Sequence, residues 1–189
     1  SDLDGIDLDF EWAENEKEYK DYSLAILKMR EVLGDKYLFS VSLHPVCYKI
    51  SKEAIEAVDF ISLQCYGPSP VRFPIEKYCS DIQMVLEYGI PKEKLVAGVP
   101  FYGVTKDNSK KTEAYFNFVQ NGLVTSPAQN EVIYQGDTYV FDGQDNIRIK
   151  TRYAKEQKLK GMMSWDLATD LPLSDSRSLL KTMTEELRE

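Results

Sequence analysis

Asp7, Asp9 and Glu11 stand at alternate positions in Gly5-Ile6-Asp7-Leu8-Asp9-Phe10-Glu11-Trp12, with Asp4 three residues ahead of Asp7. In an extended chain successive side chains point to opposite faces, so the three carboxylates share one face and Ile6, Leu8 and Phe10 the other. Like charges at neighbouring positions repel, and poor solvation also disfavours the charged form, so at least one carboxyl is expected to keep its proton near neutral pH. A retained proton is what a general acid needs. A cation site is the competing reading. Counted from Asp2, an EF-hand-type calcium loop would put Ile6 at a ligand position and receive its glycine too early, at Gly5. Two carboxylates suffice for magnesium, so that possibility stays open, but the spacing leads us to expect no metal. A plain solvated strand is disfavoured because Ile6, Leu8, Phe10 and Trp12 call for burial on the opposite face.

The segments that must position these carboxylates alternate between helix and strand. Asn15 is placed to cap a helix, with Glu18 three residues on. Tyr19, Tyr22, Ile26, Met29 and Leu33 form its apolar stripe, and Gly34 stops it. Residues 38–43 alternate as a strand with Phe39, Val41 and Leu43 on one face, ended by His44-Pro45. His44 is either a structural hydrogen-bonding residue or part of a cleft wall. A short helix follows over 51–57. The next strand, 60–66, puts Ile61, Leu63 and Cys65 on one face and Ser62, Gln64 and Tyr66 on the other. A helix over 75–88 is closed by Gly89, and Leu95 to Val99 is an apolar run of the kind found in parallel strands covered on both faces. Residues 104–146 are looser, with a short helix near 114–120 and a hairpin of 131–134 with 138–141. A helix over 146–158, a strand Gly161 to Trp165 and a helix over 176–188 complete the chain. This alternation predicts a parallel sheet with five barrel-type strands.

Asp4-x-x-Asp7-x-Asp9-x-Glu11 resembles the DxxDxDxE signature of glycoside hydrolase family 18, the chitinases and endo-β-N-acetylglucosaminidases. Three further segments resemble that family in the same order: Gln64-Cys65-Tyr66, Gly98-Val99-Pro100-Phe101-Tyr102-Gly103, and Gly161-Met162-Met163-Ser164-Trp165. The resemblance implies an α/β fold, the (β/α)8 TIM barrel. A whole barrel takes about 250 residues, so this chain of 189 is expected to hold strands four to eight. Residues 1–189 then read as the C-terminal portion of one catalytic domain, with a β-rich insertion at 104–146 before the last strand.

The same resemblance implies a glycosidase cleaving β-1,4 linkages of N-acetylglucosamine polymers, chitin or chitooligosaccharides, with no cofactor. In this family the substrate's own acetamido oxygen is the nucleophile. Glu11 would be the acid, Asp9 would hold the acetamido N–H and share a proton with Asp7, and Tyr66 would orient the acetamido carbonyl. Trp165 would floor the sugar site, with Gln64, Tyr102 and Phe101 also contacting substrate. Gly67 departs from the family, whose members commonly carry an acid or amide directly after this tyrosine. Two alternatives accompany the chitinase reading: an endo-β-N-acetylglucosaminidase acting on the chitobiose core of N-glycans, and a non-catalytic carbohydrate-binding relative.

The net charge of −8 disfavours nucleic acid and anionic membranes as partners. The sequence lacks both a membrane-spanning apolar run and a basic start followed by an apolar stretch, so any export signal would lie upstream; the substrate class implies a secreted or cell-envelope location. The 3 cysteines, Cys47, Cys65 and Cys79, are odd in number and lack CxxC spacing, which argues against a disulfide framework or zinc site. Five strands of an eight-stranded barrel would leave two open edges, so the expected partners are the missing N-terminal half of the barrel or a second copy associating through those edges.

Overall fold

The computed structural model describes residues 3–188. Ser1, Asp2 and Glu189 lie outside the described residues, and with them the start of the calcium-loop register counted from Asp2. Strands β1 (Gly5–Asp9), β2 (Leu38–Leu43), β3 (Phe60–Leu63), β4 (Leu95–Pro100) and β9 (Gly161–Trp165) form one parallel sheet in the order β1-β2-β3-β4-β9. Helices α1 (Glu16–Leu33), α2 (Lys52–Ala57) and α3 (Ile75–Tyr88) connect the first four strands. Between β4 and β9 lie β5 (Tyr102–Thr105), β6 (Thr112–Ala114), α4 (Tyr115–Gln120), β7 (Glu131–Tyr134), β8 (Asp137–Val140) and α5 (Gln144–Glu156); α6 (Leu179–Arg188) ends the chain.

Alternation along the strands divides the sheet into two chemically distinct faces. Phe39, Val41 and Leu43 on β2 and Ile61 and Leu63 on β3 are buried with Tyr22 and Ile26 of α1, Ile55 of α2, and Tyr78, Ile82 and Val85 of α3. The opposite face carries Asp7, Ser40, Ser42 and Ser62. In register, Asp7 lies beside Ser40 and Asp9 beside Ser42. Strand β4 is buried on both faces, as its unbroken apolar run requires. Helix α1 begins where Asn15 accepts the Glu18 N–H at 3.1 Å, and stops at Gly34, whose φ is 60°.

The loose stretch after β4 forms an antiparallel sheet in the order β6-β5-β8-β7, beginning at Tyr102, two residues before the sequence pattern loosens. The hairpin turn is tighter than the three-residue connection expected. Tyr134 pairs with Asp137, leaving Gln135 and Gly136, both with positive φ, as the central residues of a two-residue turn. Helix α6 starts at Leu179, later than Ser176, because Ser178 caps it through the Lys181 N–H and Asp170 accepts the Leu179 and Leu180 N–H groups. Strand β3 ends at Leu63, earlier than Tyr66, where the Cys65 N–H turns back to the Leu63 carbonyl.

One burial expectation fails at the sheet edge. Leu8 packs against the core, but Ile6 and Phe10 remain 42% and 43% exposed. The cause is topological: β1 is an edge strand that pairs only with β2 among the described residues.

Candidate active site

The three carboxylates leave β1 with different surroundings. Both Asp7 oxygens accept serine hydroxyls, Ser40 Oγ at 2.5 Å and Ser42 Oγ at 2.9 Å. Asp9 Oδ2 accepts instead from Gln64 Nε2 at 3.2 Å. Asp7 and Asp9 thus have separate hydrogen-bond partners, and the serines reach Asp7 because the neighbouring strand presents them in register. Burial raises the proton affinity of Asp9, the Gln64 hydrogen bond opposes this, and the Asp7 charge adds to the rise. Glu11, just past the strand end, is also raised, first by burial and then by the charge of Asp9.

A cavity of about 230 Å³ opens where these residues meet the ends of the other strands. Asp9 and Glu11 form one wall. Gln64 and Tyr66, following β3, form the base with Tyr102 of β5, and Trp165 at the end of β9 closes the far side. Gln64 is buried with its amide committed to Asp9. Tyr66 is buried too, and burial followed by the neighbouring Tyr102 raises its hydroxyl pKa far above the ordinary range, keeping it a neutral donor. Its hydroxyl points to Met163 Sδ at 3.6 Å, a weak acceptor. The rings of Tyr66 and Tyr102 meet edge-on with centroids 6.4 Å apart. Gly98 on β4 lies directly beneath the Tyr66 ring, where a side chain would collide with it.

Most of the residues singled out from sequence converge here, with two exceptions. Phe101 is wholly buried in the core between the sheet and α4, so it cannot contact a ligand. It occupies the junction between β4 and β5, and its N–H bonds the Trp165 carbonyl, which turns its ring away from the cavity. Asp7 lies beside the cavity without lining it. Trp165 is 56% exposed, ends the sheet's last strand and lines the cavity.

Sequence reasoning missed Trp12 as a wall residue. Alternation assigned it to the buried face with Ile6 and Phe10, but the strand ends at Asp9, so parity no longer applies at position 12. Its indole stands edge-on to the His44 ring, centroids 4.8 Å apart, and both line the cavity. His44 therefore fulfils both of its alternatives: it is a hydrogen-bonding residue and part of the cleft. Gly67 and Pro68 also line the cavity. Gly67 contributes backbone alone to this wall, where the family commonly carries an acid or amide.

Comparison with known proteins agrees with this geometry. The fold superposes on the family 18 chitinase ChiB from the chitin utilization locus of Flavobacterium johnsoniae with a TM-score of 0.78 and 29% identity, over 97% of this chain and 60% of that one. A chitinase from Bacteroides thetaiotaomicron superposes with a TM-score of 0.83 and 20% identity, over 97% of this chain and 63% of that one. A curated relative, "Probable chitinase 2" of Drosophila melanogaster, is 23% identical over 89% of this chain, which spans only 48% of the fly protein. The sheet is thus the TIM-barrel type of these neighbours. The family model described as glycosyl hydrolases family 18 matches residues 1–170, and the chain belongs to that family.

Proposed function

We propose that this chain carries the catalytic face of a glycosidase that cleaves β-1,4-linked N-acetylglucosamine in chitin or its oligosaccharides by substrate-assisted, retaining chemistry. The observation that supports this most is the meeting, in one cavity, of a carboxyl with raised proton affinity, a second carboxyl behind it, a neutral tyrosine hydroxyl and an aromatic platform. Glu11 donates its proton to the glycosidic oxygen as that bond breaks, and the acetamido carbonyl oxygen attacks the anomeric carbon to close an oxazolinium ring. Tyr66 donates to that carbonyl oxygen, which is a far better acceptor than the thioether it faces otherwise. Asp9 accepts the acetamido N–H, and its negative charge stabilises the positive charge developing on the ring. Trp165 supports the apolar face of the distorted sugar. Glu11, now ionised, takes a proton from the water that opens the oxazolinium ion, restoring both enzyme and anomeric configuration.

The cleft is bounded by two sheet edges, β1 and β9, which pair on one side only among the described residues. We infer that further strands of the same polypeptide, or a second copy, cover them and complete the barrel. Light scattering of the 189-residue chain is expected to show association; a dispersed monomer stable for days would refute this. A secreted or cell-envelope location follows from the substrate class. The functional test is to incubate the complete polypeptide with chitooligosaccharides and with a high-mannose glycopeptide and weigh the products. Shortened chitooligosaccharides with retained β configuration are expected. Cleavage of the glycopeptide alone would move the substrate to N-glycan cores, and no product from either would overturn the assignment.

A further inference from the structure

The turn that ends β2 touches both loops of the cavity wall. His44 and Cys47 close it through two backbone hydrogen bonds, His44 N–H to the Cys47 carbonyl at 3.3 Å and Cys47 N–H to the His44 carbonyl at 2.7 Å. Within it the Val46 N–H donates to His44 Nδ1 at 3.2 Å. Nδ1 is then an acceptor, so the ring proton sits on Nε2, which donates to the backbone carbonyl of Tyr66 at 3.0 Å. On its other side the turn holds the loop that follows Glu11. The Trp12 ring stands edge-on to the His44 ring, and the Ala13 N–H donates to Cys47 Sγ at 3.1 Å. One turn thus joins the segment after Glu11 to the segment carrying Tyr66.

We propose that His44, with Nε2–H donating to the Tyr66 carbonyl, is a positioning residue that holds Tyr66 and Trp12 in register with the Glu11 carboxyl. The proposal rests on the glycosidase reading above, although part of its test does not. Both ring nitrogens are committed within the protein, so His44 is not a base for the substrate. Protonation would place a second N–H at Nδ1 against the Val46 N–H and open the turn. Of the charged groups acting on the imidazole, Arg72 and Lys77 disfavour that event and Asp81 favours it. Arg72 and Lys77 present two cations from the segment after Tyr66 and from α3, and Asp81 of α3 is paired with both. Asp9 and Glu11 line the same cavity from the β1 side, while β2 carries no charged residue. Burial is the main cause that lowers the histidine pKa.

The test has two arms. Nitrogen-15 NMR of the 189-residue chain should show a neutral Nε2–H tautomer that titrates below the ordinary histidine value; an Nδ1–H tautomer or an unperturbed titration would overturn the proposal regardless of any catalysis. In the complete polypeptide, His44→Ala should lower kcat on chitooligosaccharides by about 10- to 100-fold, the scale of an ångström-level misplacement, with KM changed less than about threefold. His44→Gln, whose amide N–H reaches the same carbonyl, should recover much of that loss. Equal kcat in wild type and His44→Ala, or equal losses in the alanine and glutamine variants, would refute positioning. If the wild type turns over neither sugar, the glycosidase reading fails while the NMR arm still decides the geometry of the turn.

Discussion

Gly98→Ala is the sharpest perturbation that the geometry offers, because one methyl group would press on the tyrosine without touching the carboxylates. A Cβ at position 98 would lie 2.7 Å from the Leu63 carbonyl oxygen, 2.9 Å from Tyr66 Cε1 and 3.1 Å from Met163 Cε. Met163 can swing its terminal methyl aside, but the Leu63 oxygen belongs to the backbone of β3 and the Tyr66 ring is wedged against Tyr102. Ordinary carbon contacts begin near 3.5 Å, so the ring or strand must shift by roughly half an ångström. Overpacking of this kind costs about 1–3 kcal/mol. For a chain of this size each kcal/mol moves Tm by about 2–4 °C, which predicts a fall of roughly 3–10 °C by differential scanning calorimetry. The same shift moves the Tyr66 hydroxyl away from where the acetamido oxygen must sit, so kcat should fall by up to about 100-fold. Gly161→Ala is the control, since a Cβ there meets nothing within 4 Å. If Gly98→Ala melts and turns over like wild type, the close approach of β4 to Tyr66 is not a constraint and the reasoning fails.

Glu11→Gln should remove about 10²–10⁴-fold of turnover while sparing sugar binding, because the amide cannot donate the catalytic proton; Asp9→Asn should also lose activity, and the double variant should lose less than the product of the two, measured by steady-state kinetics on chitooligosaccharides. The pH profile follows from the direction of the shifts. In the proposed reaction Glu11 acts in its protonated form and holds its proton above the ordinary 4.5, so the alkaline limb of kcat/KM should fall at a pH above 4.5 and move down in a Gly98-intact Asp9→Asn variant that removes the neighbouring charge. Stability carries the same sign: a carboxyl whose folded-state pKa is raised favours the fold below that pKa and loses this contribution as pH rises through it, so Asp9→Asn should not lower Tm at neutral pH. For His44, lowered in the fold, stability is lost as pH drops below the ordinary 6.5. Lys150→Met should cost about 3–5 kcal/mol in chemical denaturation, since the wholly buried ammonium bonds Asp142 at 2.6 Å and the Phe73 carbonyl at 2.8 Å and would leave Asp142 buried without its cation. Lys150→Met combined with Asp142→Leu should recover most of that loss.

The strands, their parallel order and the polar face were legible because a period of two is a local signal that survives whatever surrounds it. Phe39, Val41 and Leu43 lie against the helices as their alternation requires, and Asp7, Asp9 and Gln64 share the opposite side. What failed depended on things that a local pattern does not contain. The partners of Asp7 are serines 33 and 35 residues away, and the register that brings them beside it is set by the whole β1 to β2 pairing. Ile6 and Phe10 stay half exposed because burial requires a neighbour beyond the edge. Trp12 and Phe101 were misassigned where strands end: past Asp9 and past Pro100 the backbone turns, and alternation ceases to say which way a side chain points. Pro100 marks the strand terminus in the sequence too, but a terminus does not say which way the next side chain turns.

The position of the chemistry on the sheet also explains its shape. Glu11 follows β1 and Trp165 ends β9, the first and last strands in the order β1-β2-β3-β4-β9. Four interstrand steps in a flat sheet would separate their backbones by about 19 Å, yet both side chains line one cavity of about 230 Å³. That meeting fits a sheet that curls with its polar face inward, the curvature of a barrel wall. The curl brings Gln64 to Asp9, and partial burial is the leading cause of the raised proton affinities of Asp9 and Glu11, which both remain exposed to solvent. It also divides the labour. Tyr66 and Gln64, following the central strand β3, are fixed by packing on both sides, whereas the acid and the aromatic platform stand at the least supported edges. Glu11 and Trp165 therefore rest on less of the sheet than Tyr66 and Gln64 do, so a substitution that loosens either edge strand should disturb the first pair before the second.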